Sequence, residues 1–477
     1  MNKPKWPYAV IAAAIAAVFY PCLCAGYVNW DDFKTVVENP LLQDRSARGI
    51  GALFSSFTAG HYQPLALLSF MAEQAAFGTG AAVSHAVNLV LHLLNSWLVY
   101  MLAVRLLADW RKSLFAALLF AIHPLHVESA AWISERKDLV YSFFYLCALL
   151  AYLRGWYWRT LGLFALSLLG KSMAVTLPLV LLLVDWRAEG KITARQLARK
   201  LPFAALSLVF GITAVVSQHK ADFAAAYSWD KAAGGFFIAC GNLLFYLAKF
   251  IAPLGLSAFY PFPGKGEFAV PGLYYGAPVL IAAILWFLRG HLRGMAAFGL
   301  LFFAAAIAPA LEFVPIGRAI AADHFTYLPY IGIILWICGA VPSGKRAAVF
   351  AALWLAGLGA LAHRRCHVWQ DSVSLWTDAA EKFPLSPVTR INKGIALRRA
   401  GQSDAALSEF SAALALDPRS ALAHSNIGIT LAEKGDIPAA LEHFRIAAET
   451  EPQNPDFRRN LKIIQKHKSR SPEETRR

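Results

Sequence analysis

From Trp6 to about Ala362 the chain returns repeatedly to apolar runs long enough to cross a hydrocarbon layer of about 30 Å. A backbone in hydrocarbon has to satisfy its own hydrogen bonds, so these runs predict packed transmembrane helices. With 57% hydrophobic and only 16% charged residues, the chain does not fit a plain soluble enzyme. Its formal charge of +15 comes from 45 Lys and Arg against 30 Asp and Glu. Most of the basic residues sit in short clusters between the apolar runs, which is the signature of membrane topology and not of a nucleic-acid partner. The cysteines (22, 24, 147, 240, 338 and 366) lie mostly within apolar segments and show neither a disulfide framework nor a zinc spacing.

The first run, Tyr8 to Ala25 behind Lys3 and Lys5, has the charge pattern of a signal peptide. We read it instead as the first transmembrane helix, because cleavage would leave the acidic loop that follows without its anchor. Further spans are expected near 82–104, 113–122, 138–153, 157–169, 172–186, 201–217, 272–288, 295–311, 327–341 and 346–362. The stretch 234–252 is apolar but interrupted by Gly241, Asn242 and Lys249 and followed by Pro253. If it is re-entrant or interfacial, every basic cluster falls on the cytoplasmic side, including Arg187 to Lys200, Arg289/Arg293 and Lys345/Arg346. The expectation is therefore about eleven helices with a cytoplasmic N-terminus. The loops 27–80, 123–137, 170–172, 219–271 and 312–326 then share the non-cytoplasmic face.

The composition changes near Arg364. From Val388 a period of 34 appears, with Asn392-x-Gly394 returning as Asn426-x-Gly428, Gly401 as Gly435, Ala406 as Ala440 and Phe410 as Phe444. This is the tetratricopeptide (TPR) spacing. Trp376 lies one period before Phe410, so a degenerate half-repeat begins near Trp369, and a capping helix is expected at about 455–466. The predicted class is all-α: a polytopic membrane domain over 1–363, a soluble TPR solenoid over 364–468 on the non-cytoplasmic side, and a disordered tail over 469–477. The repeat domain is read either as a buttress or as a groove for a protein partner.

Unusual polar residues collect on the non-cytoplasmic loops. Asn29-Trp30-Asp31-Asp32 places two adjacent carboxylates just after the first helix. They could cap a juxtamembrane helix, or act as a general base or metal ligand. His123-Pro124-Leu125-His126-Val127-Glu128 could bind a divalent metal, but Pro124 interrupts the helix that would align those ligands. Glu135, Arg136, Lys137 and Asp138 follow, and the two cations there run against the positive-inside trend. A lipid-linked phosphate would explain them. Lys171, Lys249 and Arg318, with Asp323, His324 and Tyr327, complete a charged cup; for Lys171 snorkelling to the interface is the plainer alternative. No glycine-rich phosphate loop, G-x-S-x-G elbow or paired-Cys motif is present.

The run Tyr27 to Asp32 with Glu38-Asn39-Pro40, then His61-Tyr62-Gln63-Pro64-Leu65, Phe120 to Glu128, Trp132 to Asp138, and Tyr327-Leu328-Pro329 resembles the bacterial relatives of the transmembrane and tetratricopeptide-repeat (TMTC) O-mannosyltransferases, of the GT-C class. The resemblance implies a GT-C membrane domain that takes sugar from a polyprenyl-phosphate donor, undecaprenyl more readily than dolichyl, and places it on a protein hydroxyl. It implies an inverting displacement with Asp31 as base and Asp32 in support. Donor phosphate would fall to Arg136, Lys137, Lys171, Lys249 and Arg318. The substrate pocket would take in His61, Tyr62, His123, His126, Glu128, Glu135, Asp138, Asp323, His324 and Tyr327. It further implies a bacterial inner membrane and an acceptor protein held by the TPR domain. The rival expectations are a non-enzymatic TPR scaffold for envelope assembly and a transporter for a polar lipid. The transporter is the weaker, because the charges gather at one surface and not near the midplane.

Overall fold

The computed structural model describes residues 5–220, 229–263, 269–313, 319–340 and 344–474. The chain forms two compact units, Met1–Leu256 with Phe268–Gln370, and Ser257–Glu267 with Asp371–Arg477.

In the first unit the helices are α1 Trp6–Phe19, α2 Ala47–Ser55, α3 Pro64–Phe77, α4 Ala81–Leu107, α5 Trp110–Ile122, α6 His126–Ala131, α7 Arg136–Tyr152, α8 Tyr157–Gly170, α9 Leu177–Glu189, α10 Ala194–Lys220, α11 Trp229–Ile251, α12 Ala277–Leu288, α13 Gly294–Ile307, α14 Tyr330–Ala340 and α15 Lys345–Val368. Each span expected from the sequence coincides with helical structure. Five stretches among the described residues are long and apolar enough to cross a membrane: Trp6–Cys24, Ala81–Leu107, Ala194–Gln218, Ala233–Ile251 and Lys345–Val368. The chain is a multi-pass membrane protein, and the remaining apolar helices are shorter. Local signals set both ends of α5. Asp109 accepts from the Arg111 and Lys112 amides to start it, and Pro124 forces His123 into an extended conformation that stops it.

The polar residues inside α11 do not break it. Asn242 donates to the Ile320 carbonyl at 2.7 Å, and Lys249 donates to the Leu254 carbonyl just past the helix end. A Cβ on Gly241 would lie 2.1 Å from the Tyr274 ring, so the missing side chain is what lets that ring close on the helix. Along its length α11 follows one group of loops. Gly235 backs onto the Phe313 carbonyl, the Tyr246 hydroxyl accepts from the Ala322 amide, and the Phe250 carbonyl faces His123 Nε2 at 3.1 Å.

The second unit holds α16 Ser372–Lys382, α17 Pro387–Arg399, α18 Ser403–Leu416, α19 Ala421–Glu433, α20 Ile437–Thr450 and α21 Pro455–Glu474. The repeat is visible in its packing: a Cβ on Gly394 would strike the Phe410 ring at 2.4 Å, and one on Gly428 the Phe444 ring at 2.9 Å. Gly401 and Gly435 carry φ of +78° and +88° at the turn between paired helices, a conformation that costs other residues steric strain. Trp376 on α16 is fully buried. The last helix runs on to Glu474, into the segment expected as a tail, and residues 475–477 lie outside the described residues.

Candidate active site

The first loop is pinned by Asp32. One carboxylate oxygen accepts from the Val28 amide at 2.9 Å; the other accepts from the Ser134 amide at 2.9 Å and the Ser134 hydroxyl at 2.6 Å. Asp32 is buried, and burial pushes its carboxyl up to about 6 even though these donors favour the anion. It therefore clamps the first loop to the segment that opens α7. Asp31 is half-buried, and among the described residues its carboxylate makes no hydrogen bond or ion pair. Burial raises its proton affinity, with Lys137 opposing the rise and Glu135 adding to it.

Around Asp31 the loops bring together a charged cluster. Lys137 Nζ lies 2.6 Å from Glu135, and Lys171 Nζ lies 2.5 Å from Asp138 and 3.4 Å from Glu135. Gly170 makes this approach possible, because a Cβ there would stand 2.9 Å from the Tyr141 amide nitrogen. Burial works against the Lys171 charge, but Asp138 and Glu135 outweigh it and raise the ammonium's proton affinity. Burial likewise opposes the Glu135 anion, and the His324 ring with Lys137 and Lys171 overcomes that and holds the carboxyl well below its usual range. His324 Nδ1 lies 2.7 Å from Glu128 and Nε2 lies 3.8 Å from Glu135. Burial, only partly offset by Glu135, pushes the imidazole down to about 3, while burial pushes Glu128 well up. Burial thus works against the charged form of both partners across this 2.7 Å contact. His61 lies on a tight turn, with Ala59 and Gly60 at φ of +49° and +75°, and burial with Lys137 and Lys171 keeps its ring neutral.

Other expected residues stand elsewhere. Arg136, neighbour to Lys137, turns away into the protein: it pairs with Glu73 at 2.6 Å, donates to Asn88 at 2.7 Å and to the Ser84 carbonyl at 3.0 Å, and lies over the Phe70 ring. His123 and His126 are fully buried, the first against Phe250 and the second bonded to the Phe120 carbonyl at 2.7 Å. The Tyr327 hydroxyl is held by His92 at 2.8 Å and Asn95 at 3.2 Å. Tyr62 donates to the Phe54 carbonyl at 2.9 Å. Asp323, by contrast, stays beside the cluster, where after burial its charge adds most to the rise in Glu128, and it lies 4.0 Å from Arg365; Lys249 stays at the end of α11. Arg318 lies outside the described residues. Three residues that matter here were not anticipated. Ser134 fixes Asp32, Glu73 neutralises Arg136, and Trp369 stacks on Trp132 at 5.6 Å. A lone carboxylate inside the apolar run of α3 was the available signal for Glu73.

Among the described residues, Glu135, Asp138 and His324 converge with possible ligand atoms within 4.8 Å of one another, close enough to share a cation. The charge balance fits a metal poorly. Both carboxylates already face ammonium groups at 2.5 to 2.6 Å, and a divalent ion would have to sit against Lys137 and Lys171.

A tetratricopeptide repeat family model matches residues 391–455. The chain is similar to Protein O-mannosyl-transferase Tmtc1 of Drosophila melanogaster, with 34% identity over 189 residues covering 36% of this chain and 22% of that protein. It is similar to Tmtc2 of the same organism at 34% over 199 residues, covering 37% and 21%. Human Protein O-mannosyl-transferase TMTC4 matches at 28% over 234 residues, covering 42% and 31%. The matched regions thus span between about a fifth and a third of these relatives' lengths. Among solved structures, ArnT from Cupriavidus metallidurans bound to undecaprenyl phosphate aligns over 94% of this chain and 89% of that one, at 13% identity and a TM-score of 0.43. That likeness is too loose to bear on function.

Proposed function

We propose, on the premise of the similarity to the O-mannosyl-transferases, that this chain is a membrane glycosyltransferase. It would move a sugar from a polyprenyl-phosphate donor to a Ser or Thr hydroxyl of an exported protein. The observation that carries the proposal is the division of labour at residues 31 and 32. Asp32 commits its carboxylate to three hydrogen bonds, while Asp31 keeps a half-buried carboxylate with no partner among the described residues, within electrostatic reach of Lys137.

In the step that follows, Asp31 takes the proton of the acceptor hydroxyl as its oxygen bonds to the anomeric carbon. The bond from that carbon to the phosphate oxygen breaks, its electron pair stays on the lipid phosphate, and the configuration inverts. Lys137 and Lys171 neutralise the charge gained by the leaving phosphate, exchanging part of their pairing with Glu135 and Asp138. Arg136 acts as a positioning residue, fixing the start of α7 through Glu73 and Asn88. The membrane would be a bacterial inner membrane with the N-terminus cytoplasmic, and the repeat unit would hold the acceptor on the far side.

The test is transfer by the full chain in lipid nanodiscs from undecaprenyl-phosphate mannose to exported host proteins, read as a hexose mass on Ser or Thr. Asp31→Asn is expected to lower the rate by at least about a hundredfold with folding intact. Full activity in that variant would remove Asp31 as the base.

A further inference from the structure

Three tryptophans from distant parts of the sequence stack in one column beside the charged cluster. Trp30 lies against Trp132 at 6.3 Å and 26°, and Trp132 against Trp369 at 5.6 Å and 24°. Trp30 adjoins Asp31 in the chain. Trp132 borders the cluster directly, with Lys137 Nζ 5.5 Å from its ring centre and His324 edge-on at 5.9 Å. Trp132 and Trp369 are 4% and 1% exposed, and the indole N–H of each is buried with no acceptor among the described residues. A buried donor left unpaired is costly, and a pair of them in one rigid stack calls for an explanation.

We infer that the Trp132 and Trp369 indole N–H groups hold the sugar of the donor by hydrogen-bonding to its hydroxyl oxygens. This deepens the proposed function and rests on it. The division follows from charge. Phosphate oxygens are anionic and suit Lys137 and Lys171, whereas an indole N–H is a neutral donor suited to a neutral oxygen. The stack also fixes both donors before any ligand arrives, so little side-chain freedom is lost on binding.

The test uses the full chain in nanodiscs and measures affinity for undecaprenyl phosphate and undecaprenyl-phosphate mannose side by side. Trp132→Phe and Trp369→Phe keep an aromatic ring in the stack and remove the N–H, at the cost of a smaller ring; an unchanged affinity for the bare lipid phosphate controls for that loss of volume. Each is expected to bind the mannose-bearing lipid about tenfold more weakly, with the bare lipid phosphate bound as before. Unchanged affinity for the sugar lipid, or an equal loss for both lipids, overturns the inference. Should a variant misfold, the wild-type protein with a series of deoxymannose donors gives the same readout. At least one deoxy position is expected to lose about tenfold, and a series with no loss overturns the inference. If the wild-type protein binds neither lipid, the proposed function itself fails. Binding of both lipids with indifferent variants leaves that function standing and removes the sugar role of the tryptophans.

Discussion

Adjacent residues in this chain repeatedly meet opposite environments. Asp32 is a buried anchor and Asp31 a half-open carboxylate; Arg136 is sunk against Glu73 while Lys137 reaches Glu135. The sequence showed each pair as a doubled charge. It could not show which member faces the site, because consecutive helical side chains point about 100° apart and the direction depends on what packs behind them. Two predictions belong at this scale. Asp32 titrates at about 6 in the fold against 3.8 for an ordinary carboxyl, so the folded state binds its proton more tightly than the unfolded chain does. Its contribution to stability therefore rises as pH falls from about 6 to 3.8, with a limiting slope of about 1.4 kcal/mol per unit. Thermal melting across that window is expected to lose this component in Asp32→Asn; an identical pH profile in the variant would contradict the assignment. At the Arg136–Glu73 pair, Arg136→Met leaves the buried Glu73 carboxylate without its counter-charge, with the Ser84 hydroxyl still donating to it, and is expected to cost about 3–5 kcal/mol. Adding Glu73→Leu is expected to restore most of it, and a double variant no more stable than the single would show that the pair is not the source.

At the scale of elements, the hydrophobic runs announced the long apolar helices and the 34-residue period the repeat, whereas α2, α3 and α6 lie in the segments 27–80 and 123–137 that were read as loops. Less legible was how closely neighbours approach, which glycines decide. A Cβ on Gly299 would lie 2.3 Å from the Gly332 carbonyl oxygen, and one on Gly332 would lie 2.4 Å from the Gly299 carbonyl oxygen, so α13 and α14 pack backbone to backbone. Gly299→Val is expected to cost at least about 1–3 kcal/mol, read as a lower melting midpoint in detergent. Gly170 has a more pointed role, because it seats the end of α8 on α7 immediately before Lys171. Gly170→Ala is expected to displace the Lys171 ammonium and to reduce transfer more than it reduces melting temperature. If stability falls and residual activity per folded molecule is unchanged, Gly170 serves packing alone.

For the whole molecule, membrane sidedness depends on α11. Its length and apolarity suffice for a crossing, yet from Gly235 to Phe250 it touches Phe313, Ile320, Ala322 and His123. Those partners sit in or beside the loops that carry Glu128 and His324, residues 2.7 Å apart and so on one face. We infer from these contacts that α11 dips into the membrane or lies along it. A crossing by α11 would make the number of crossings from the end of α10 to His324 odd, and would set His324 opposite its own partner. Counting the basic clusters favours the same placement. It could not see the contacts, which arise between segments some 70 to 130 residues apart. Single cysteines at Gln43, Lys191 and Leu254, in a background without the native cysteines, test the arrangement with a membrane-impermeant maleimide. Gln43→Cys and Leu254→Cys are expected to react from the same side, and Lys191→Cys only after the membrane is permeabilised. Leu254 labelling together with Lys191 would mean that α11 crosses, and the face shared by Asp31 and His324 would have to be redrawn.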